Sequence, residues 1–380
     1  MSWAVWITGP PGSGKSTLAR TAARQLGAAG LPVRLLELDE IRKALTPRPN
    51  YSDAEREVVY RALVAMATLL TEAHVPVIID ATAHRRRWRD LARAGIPRFA
   101  EVQLACPLDV CRERERARPV GHAPRGIYAG AGRPGATVPG VDVPYEPALA
   151  PELVIDTVEE SVSEGAARIV TLAREIALGA PADLAPRPCG CAIWITGRPG
   201  SGKTSLAHRV ADSLSAHGIP ARVLEFGALS RFLLDGSPTS DAGREIAHRA
   251  LGYAAKLLAE AGVTVLVDDT APRRAWREAA RALIPRFAEV QLLCPTEICV
   301  ERERAARWEL AAPFRTVRGL PTAEAAPDMR FDYEESLRPD LMVRTDVHDP
   351  WSAAELVLHL IRRLNRLAAA DIEEPERRAL

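Results

Sequence analysis

Gly9-Pro10-Pro11-Gly12-Ser13-Gly14-Lys15-Ser16 recurs later in the chain as Gly197-Arg198-Pro199-Gly200-Ser201-Gly202-Lys203-Thr204. Each octet follows a short apolar run, Trp3 to Ile7 and Ala192 to Ile195. The first leads into a helix-like run from Ser16 to Ala29. This is the phosphate-binding loop pattern in its required setting of strand, loop and helix. The glycines let the backbone curl so that several N–H groups aim at one point, and the following helix adds the positive end of its dipole. Gly9, Gly12, Ser13, Gly14, Lys15, Ser16 and Thr17 are therefore candidate ATP-binding residues, with Gly197, Gly200, Ser201, Gly202, Lys203, Thr204 and Ser205 as their second set. Lys15 can reach the β- and γ-phosphates, and the Ser16 hydroxyl can ligate Mg²⁺.

Lys15 and Lys203 stand 188 positions apart, and the same offset holds along the chain without a gap. Glu37 falls on Glu225, Arg56 on Arg244, Asp80 on Asp268, and Tyr145-Glu146 on Tyr333-Glu334. Residues 96–104 and 284–292 are identical. So long a period is a duplicated domain, not a solenoid repeat. The expected organisation is a first domain over 1–178, a linker over 179–190, a second domain over 191–370 and a frayed tail over 371–380.

Within the first copy, Val33 to Leu38, Pro76 to Ile79, Glu101 to Ala105 and Leu153 to Ile155 read as short buried strands. Ala54 to Glu72, Arg86 to Arg93, Leu108 to Arg118 and Glu159 to Leu178 read as helices. That alternation specifies an α/β fold, two tandem P-loop NTPase domains, each a parallel sheet flanked by helices. Ligands in such folds sit beyond the carboxyl ends of the strands. The loops after Ile7, Leu38 and Ile79 should converge there. Val120 to Pro144, rich in Gly and Pro, reads as a lid or an irregular loop.

Asp39 follows the second strand, where a carboxylate can accept a proton from an attacking hydroxyl or help hold Mg²⁺. It can equally be a helix N-cap. Arg42, one helical turn on, can clamp an anion. Asp80 ends the third strand, the usual place for the acid that partners Mg²⁺ in P-loop enzymes. The basic cluster of His84 to Arg87 and Arg89 is expected to be mostly a solvated helix face.

The first half resembles the adenylylsulfate (APS) kinase family. The resemblance is carried by Gly9 to Thr17, Leu36 to Arg42, Tyr51-Ser52 with Arg56, Pro107 to Cys111, Gly126-Ile127-Tyr128, Gly140-Val141-Asp142 and Pro144 to Leu153. It implies a P-loop kinase that transfers the γ-phosphoryl of MgATP to the 3′-hydroxyl of APS. By position, Asp39 and Lys15 are implied to be catalytic; Arg42, Tyr51, Arg56 and Asp142 to bind substrate; and Ser16, Asp39 and Asp80 to hold the metal. The family's Asp-Gly-Asp is Glu37-Leu38-Asp39 here, and its Ser-Pro-Tyr-Arg run is Ala83-His84-Arg85-Arg86, which removes the serine that some members phosphorylate. Asp80-Ala81-Thr82 is similar instead to other small-molecule P-loop kinases, so a kinase for another hydroxyl, or a nucleotide-sensing protein, is an alternative. In the second half Asp39 becomes Gly227, Arg42 becomes Ser230, Tyr51 becomes Thr239, Gly126-Ile127-Tyr128 becomes Phe314-Arg315-Thr316, and Gly140 and Asp142 become Asp328 and Arg330. That half keeps its phosphate loop and loses its acceptor residues.

Composition narrows the partners. A net charge of +1 leaves no electrostatic footprint for nucleic acid or an acidic membrane. No apolar run is long enough to span a bilayer and no signal-peptide pattern opens the chain, so a cytoplasmic protein acting on small molecules is expected. Cys106 and Cys111 recur as Cys294 and Cys299 and read as buried free thiols, and Cys189-Gly190-Cys191 reads as linker.

Overall fold

In the computed structural model, residues 2–117, 126–133, 135–178, 190–234, 241–310 and 332–377 are described. The chain divides into two compact units, Met1–Arg187 with Phe232–Asp235, and Pro188–Arg231 with Gly236–Leu380. Most of the expected linker (179–189), parts of the expected lid (120–125 and 134), and Thr239, Phe314, Arg315, Thr316, Asp328 and Arg330 lie outside the described residues.

The first unit holds five parallel strands: β1 (Ala4–Thr8), β2 (Arg34–Glu37), β3 (Val77–Asp80), β4 (Phe99–Ala105) and β5 (Leu153–Asp156). Their order across the sheet is β2-β3-β1-β4-β5. β1 is central and buried at every position, which is why it reads as an unbroken apolar run instead of an alternating one. Its alternate side chains still part to opposite faces. Trp3, Val5 and Ile7 pack with Leu18, Ala22 and Leu26 of α1 (Lys15–Ala28) and Ile169 of α6 (Val162–Ala177). Trp6 lies outside that cluster; its indole N–H donates to Ala81 O, and its ring meets Phe99 edge-on. α6 begins at a capping box, with the Ser161 hydroxyl accepting from Glu164 N and Glu164 reaching back to Ser161 N.

Register places the site. Ile7 and Glu37 both pair with Asp80, so the ends of β1, β2 and β3 lie side by side. From those ends rise the phosphate loop, α2 (Leu38–Leu45) and the Asp80 turn. The remaining helices are α3 (Asp53–Glu72), α4 (Arg86–Gly95) and α5 (Leu108–Ala117).

The second unit repeats the plan. Strands β6 (Ala192–Thr196), β7 (Ala221–Glu225), β8 (Thr264–Asp268), β9 (Phe287–Leu293) and β10 (Leu341–Arg344) are ordered β10-β9-β6-β8-β7. Helices α7 (Lys203–Ala216), α8 (Phe226–Leu234), α9 (Asp241–Glu260), α10 (Arg274–Leu283), α11 (Thr296–Leu310) and α12 (Pro350–Arg377) complete it. α12 runs through most of the stretch expected to be a frayed tail. No described helix is long and apolar enough to cross a membrane.

The expectation of a solvated basic face on α4 needs correction. Arg89 is fully buried, in an ion pair with Glu101 at 2.5 Å, and donates to the carbonyls of Ala83 and Glu146. His84 is buried too. Arg277 and Glu289 repeat the pair in the second unit. A guanidinium supplies several donors in a fixed plane, which lets one buried side chain tie α4, β4 and the Tyr145-Glu146 strap together.

Candidate active site

In the first unit the phosphate loop lies against α5. Gly12 has φ +83°, and a Cβ there would stand 2.2 Å from Cys111 O. Only glycine satisfies both the backbone angle and the approach. Lys15 is buried, with Nζ donating to Gly9 O at 3.0 Å and Pro10 O at 2.9 Å. The buried Ser13 hydroxyl has no hydrogen-bond partner in the protein. A loop holding a cation and an unsatisfied donor is fitted to an anion.

One cleft is lined by Lys15, Ser16, Glu37, Asp39, Asp80 and Ile127, among others. Ser16 hydrogen-bonds to Asp80, and burial holds the Asp80 carboxyl above the usual carboxylate range, opposed by Lys15 and Ser16. Hydroxyl and carboxylate oxygens form a hard donor set, which suits Mg²⁺ held partly by phosphates and water. Among the described residues no group of three or more His, Cys, Asp or Glu side chains could hold a metal alone. Asp39 sits in the first turn of α2, beside Glu40, where its charge also complements the helix dipole. Gly9, Gly14 and the solvent-facing Thr17 complete the expected loop set.

Of the expected substrate residues, Arg42, Tyr51 and Arg56 come together. The Arg42 guanidinium lies 5.2 Å from the centre of the Tyr51 ring and pairs with Glu55 at 3.4 Å. Tyr51 has φ +55°, uncommon for a non-glycine residue. Its conformation is held from both sides: Glu55 accepts from Asn50 N at 2.8 Å and Tyr51 N at 3.3 Å, while Arg56 Nε donates to Tyr51 O at 3.0 Å. Arg56 also donates to Thr137 O and Oγ1, and burial lowers its pKa. The Asp142 carboxylate accepts from Gly132 N and from Val138 N, the neighbour of the Thr137 that Arg56 reaches, and so shapes that turn.

Two contributors were not legible beforehand. Glu55 is a buried carboxylate that organises Arg42 and Tyr51. Its signal was Ser52-x-x-Glu55, a capping pattern in which the Ser52 hydroxyl accepts from Glu55 N but the glutamate turns to Asn50 and Tyr51 instead. The Tyr128 hydroxyl donates to Pro11 O at 2.7 Å, joining the described part of the lid to the phosphate loop.

The second unit reproduces the phosphate side. Gly200 has φ +77°, and a Cβ there would stand 2.2 Å from Cys299 O. Lys203 donates to Gly197 O and Arg198 O at 3.1 Å each, and the Thr204 hydroxyl donates to Asp268. Ser201 repeats the unpartnered buried hydroxyl of Ser13. Gly202 is the left-handed residue before α7, and Ser205 faces solvent, as Thr204 does. The side expected to take the acceptor differs. Gly227 lines the cleft where Asp39 lines the first. Below it, His248 is stacked between Phe226 and Trp276 at centroid distances of 4.0 and 3.9 Å, and pairs with Asp269 at 2.8 Å.

Similarity to known proteins runs the same way. The probable adenylyl-sulfate kinase of Archaeoglobus fulgidus is 38% identical over 160 residues, 41% of this chain and 97% of that protein. The adenylyl-sulfate kinase of Bacillus pumilus is 39% identical over 178 residues, 45% of this chain and 84% of its own. Among solved structures, the Mycobacterium tuberculosis APS kinase CysC in complex with AMPPNP and APS is 29% identical, covering 46% of this chain and 99% of that one, with a TM-score of 0.38. The family described as adenylylsulphate kinase matches residues 1–156 and again 189–343. With both copies matched, the chain belongs to the adenylylsulphate kinase family, a family of ATP-dependent phosphotransferases, and carries its domain in tandem.

Proposed function

We propose that the first unit transfers the γ-phosphoryl group of ATP to the 3′-hydroxyl of adenylylsulfate, and that the second unit binds nucleotide without using this acceptor. The observation that carries the reading is the asymmetry of two otherwise matching clefts. Lys15, Ser16 and Asp80 have counterparts in Lys203, Thr204 and Asp268, whereas Asp39 faces the first cleft and Gly227 the second. The relatives named for this activity support the choice of acceptor.

Phosphoryl transfer asks a protein mainly for positioning and charge neutralisation. Loop amides and Lys15 hold the phosphates of the donor. Ser16 and Asp80 would hold Mg²⁺, which would supply further neutralisation of phosphate charge. Arg42 and Arg56 present fixed guanidinium planes to the anionic end of the acceptor, and the Tyr51 face packs on its base. The acceptor oxygen bonds to the γ-phosphorus as the bond to the bridging oxygen of ADP breaks. Asp39 takes the hydroxyl proton. In the second unit Ser230 offers no guanidinium and Gly227 no carboxylate.

The test is ADP release by the full-length protein with ATP and Mg²⁺, with adenylylsulfate compared against a panel of sugars, nucleosides and other hydroxyl compounds. Release that rises only with adenylylsulfate is expected. Release driven by another compound and not by adenylylsulfate would leave the kinase fold standing and remove the acceptor.

A further inference from the structure

The paired cysteines belong to no step above. Cys106 follows β4, Pro107 caps the next helix with its carbonyl accepting from Cys111 N, and Cys111 lies on the first turns of α5. Cys106 and Cys111 therefore occupy the two positions of a hydrophobic staple, the residue before a helix cap and the fourth residue inside it, whose side chains meet. The two side chains share a hydrogen bond, and the Cys111 thiol also approaches Cys106 O at 3.9 Å. Cys106 is partly exposed, Cys111 is buried, and Arg114 Nη1 lies 3.6 Å from Cys106 Sγ. Cys294, Cys299 and Arg302 repeat all of it, with Arg302 at 3.7 Å and the thiol approach at 3.8 Å.

A staple needs only two apolar side chains. Two facts separate this pair from one. Between the copies Leu108-Asp109-Val110 has become Thr296-Glu297-Ile298, yet both cysteines and the proline stand unchanged in a half that has lost Asp39 and Arg42. The inner cysteine is also the residue whose carbonyl abuts the phosphate-loop glycine, at Gly12 and at Gly200.

We infer that each pair is a reversible oxidation site, closing to a Cys106–Cys111 or Cys294–Cys299 disulfide under peroxide and thereby loosening the adjoining phosphate loop. The sulfur of Cys106 attacks one peroxide oxygen, the O–O bond breaks, water leaves and a sulfenic acid remains. The sulfur of Cys111 then attacks Cys106 Sγ. The S–O bond breaks, a second water departs with the Cys111 proton, and the S–S bond forms, so that one peroxide has accepted two electrons. Burial pushes the Cys111 thiol up to about 12, which leaves the partly exposed Cys106 as the first to react. A disulfide fixes the separation and dihedral of its two Cβ atoms more tightly than a thiol contact does. The resulting shift in the first turn of α5 falls on Cys111 O, and through it on Gly12.

Full-length protein treated with hydrogen peroxide and then alkylated tests this. Tryptic peptides 99–112 and 287–302 each contain one whole pair. They should lose about 2 Da, the two thiol hydrogens, resist alkylation and recover both properties after dithiothreitol. A fluorescent ATP analogue should bind the oxidised protein roughly tenfold more weakly, comparable to losing one charge-assisted hydrogen bond. In a C106S, C294S double variant, peroxide should leave that affinity unchanged. Peptides that remain fully alkylated after peroxide, or that pass only to irreversible acids, would overturn the oxidation site. Formation of the disulfides with no change in affinity would overturn the link to the phosphate loop.

Discussion

Gly12→Ala tests how the phosphate loop is held. The residue has φ +83°, and left-handed backbone costs a non-glycine residue roughly 1–2 kcal/mol. Alone, that penalty would weaken a loop-dependent ligand by roughly 5- to 30-fold. The alanine Cβ would also stand 2.2 Å from Cys111 O, where contacts under 3.0 Å are essentially never seen. Neither partner is a flexible side-chain end: one is loop backbone and the other is the backbone of α5. The loop must therefore move by the better part of an ångström, and misplacement on that scale costs about 10²-fold in rate. Gly14 supplies the control, with φ +98° and no atom within 4 Å of an added Cβ. Gly14→Ala should show the backbone penalty alone. Affinity for a fluorescent ATP analogue and steady-state ADP release, measured beside far-ultraviolet circular dichroism, would separate the two variants. The second loop should be disabled by Lys203→Ala so that it does not mask the first. Equal losses in the two variants would refute the argument that the loop is wedged against α5.

The remaining expectations concern the cleft walls. Burial raises the Asp80 pKa, so the folded chain binds that proton more tightly than the unfolded one. The stability it contributes is complete below the unfolded carboxylate range and is lost as pH rises through the folded value. Asp80→Asn should accordingly raise the melting temperature at neutral pH in EDTA while collapsing Mg²⁺-dependent turnover; a lower melting temperature would contradict the sign. Arg42→Lys keeps the charge but loses the planar fork and the ring contact with Tyr51, and should raise the KM for adenylylsulfate roughly tenfold while changing kcat less. An unchanged KM with lowered thermal stability would make Arg42 structural only.

The sheet was legible because its strands are short apolar runs bounded by the motifs themselves. β1 through β5 begin and end within two residues of the sequence reading. α2 was legible only as a helical turn at Asp39 to Arg42; its start at Leu38 was not, since Leu38 continues the apolar run of β2 and the Glu37 cap makes no side-chain hydrogen bond to announce the helix. α6 begins at Val162, three residues later than read, although Ser161-x-x-Glu164 marked the start. Near the site, residues set by the loop motif and strand ends could be named in advance. Those whose role depends on residues distant in sequence could not. Arg89 reads as one arginine among several, and its burial follows from Glu101 on the neighbouring strand. Asp269 replaces an alanine and His248 a tyrosine, 21 positions apart, and only the fold shows that the two changes meet. Asp142 reads as one carboxylate in a loop motif, and only the fold shows that it accepts from two backbone amides, Gly132 N and Val138 N.

The central claim is that the first cleft carries the chemistry and the second does not. Adenylylsulfate-dependent ADP release by full-length Lys15→Ala, Asp39→Asn and Lys203→Ala proteins tests it most directly. Losing the phosphate cation or the cleft carboxylate removes interactions made at the reacting centre, and both should cost about 10²-fold or more in kcat. Lys203→Ala should retain most of the turnover. Turnover that survives in Lys15→Ala and Asp39→Asn but falls with Lys203→Ala would place the reaction in the second unit and contradict the account.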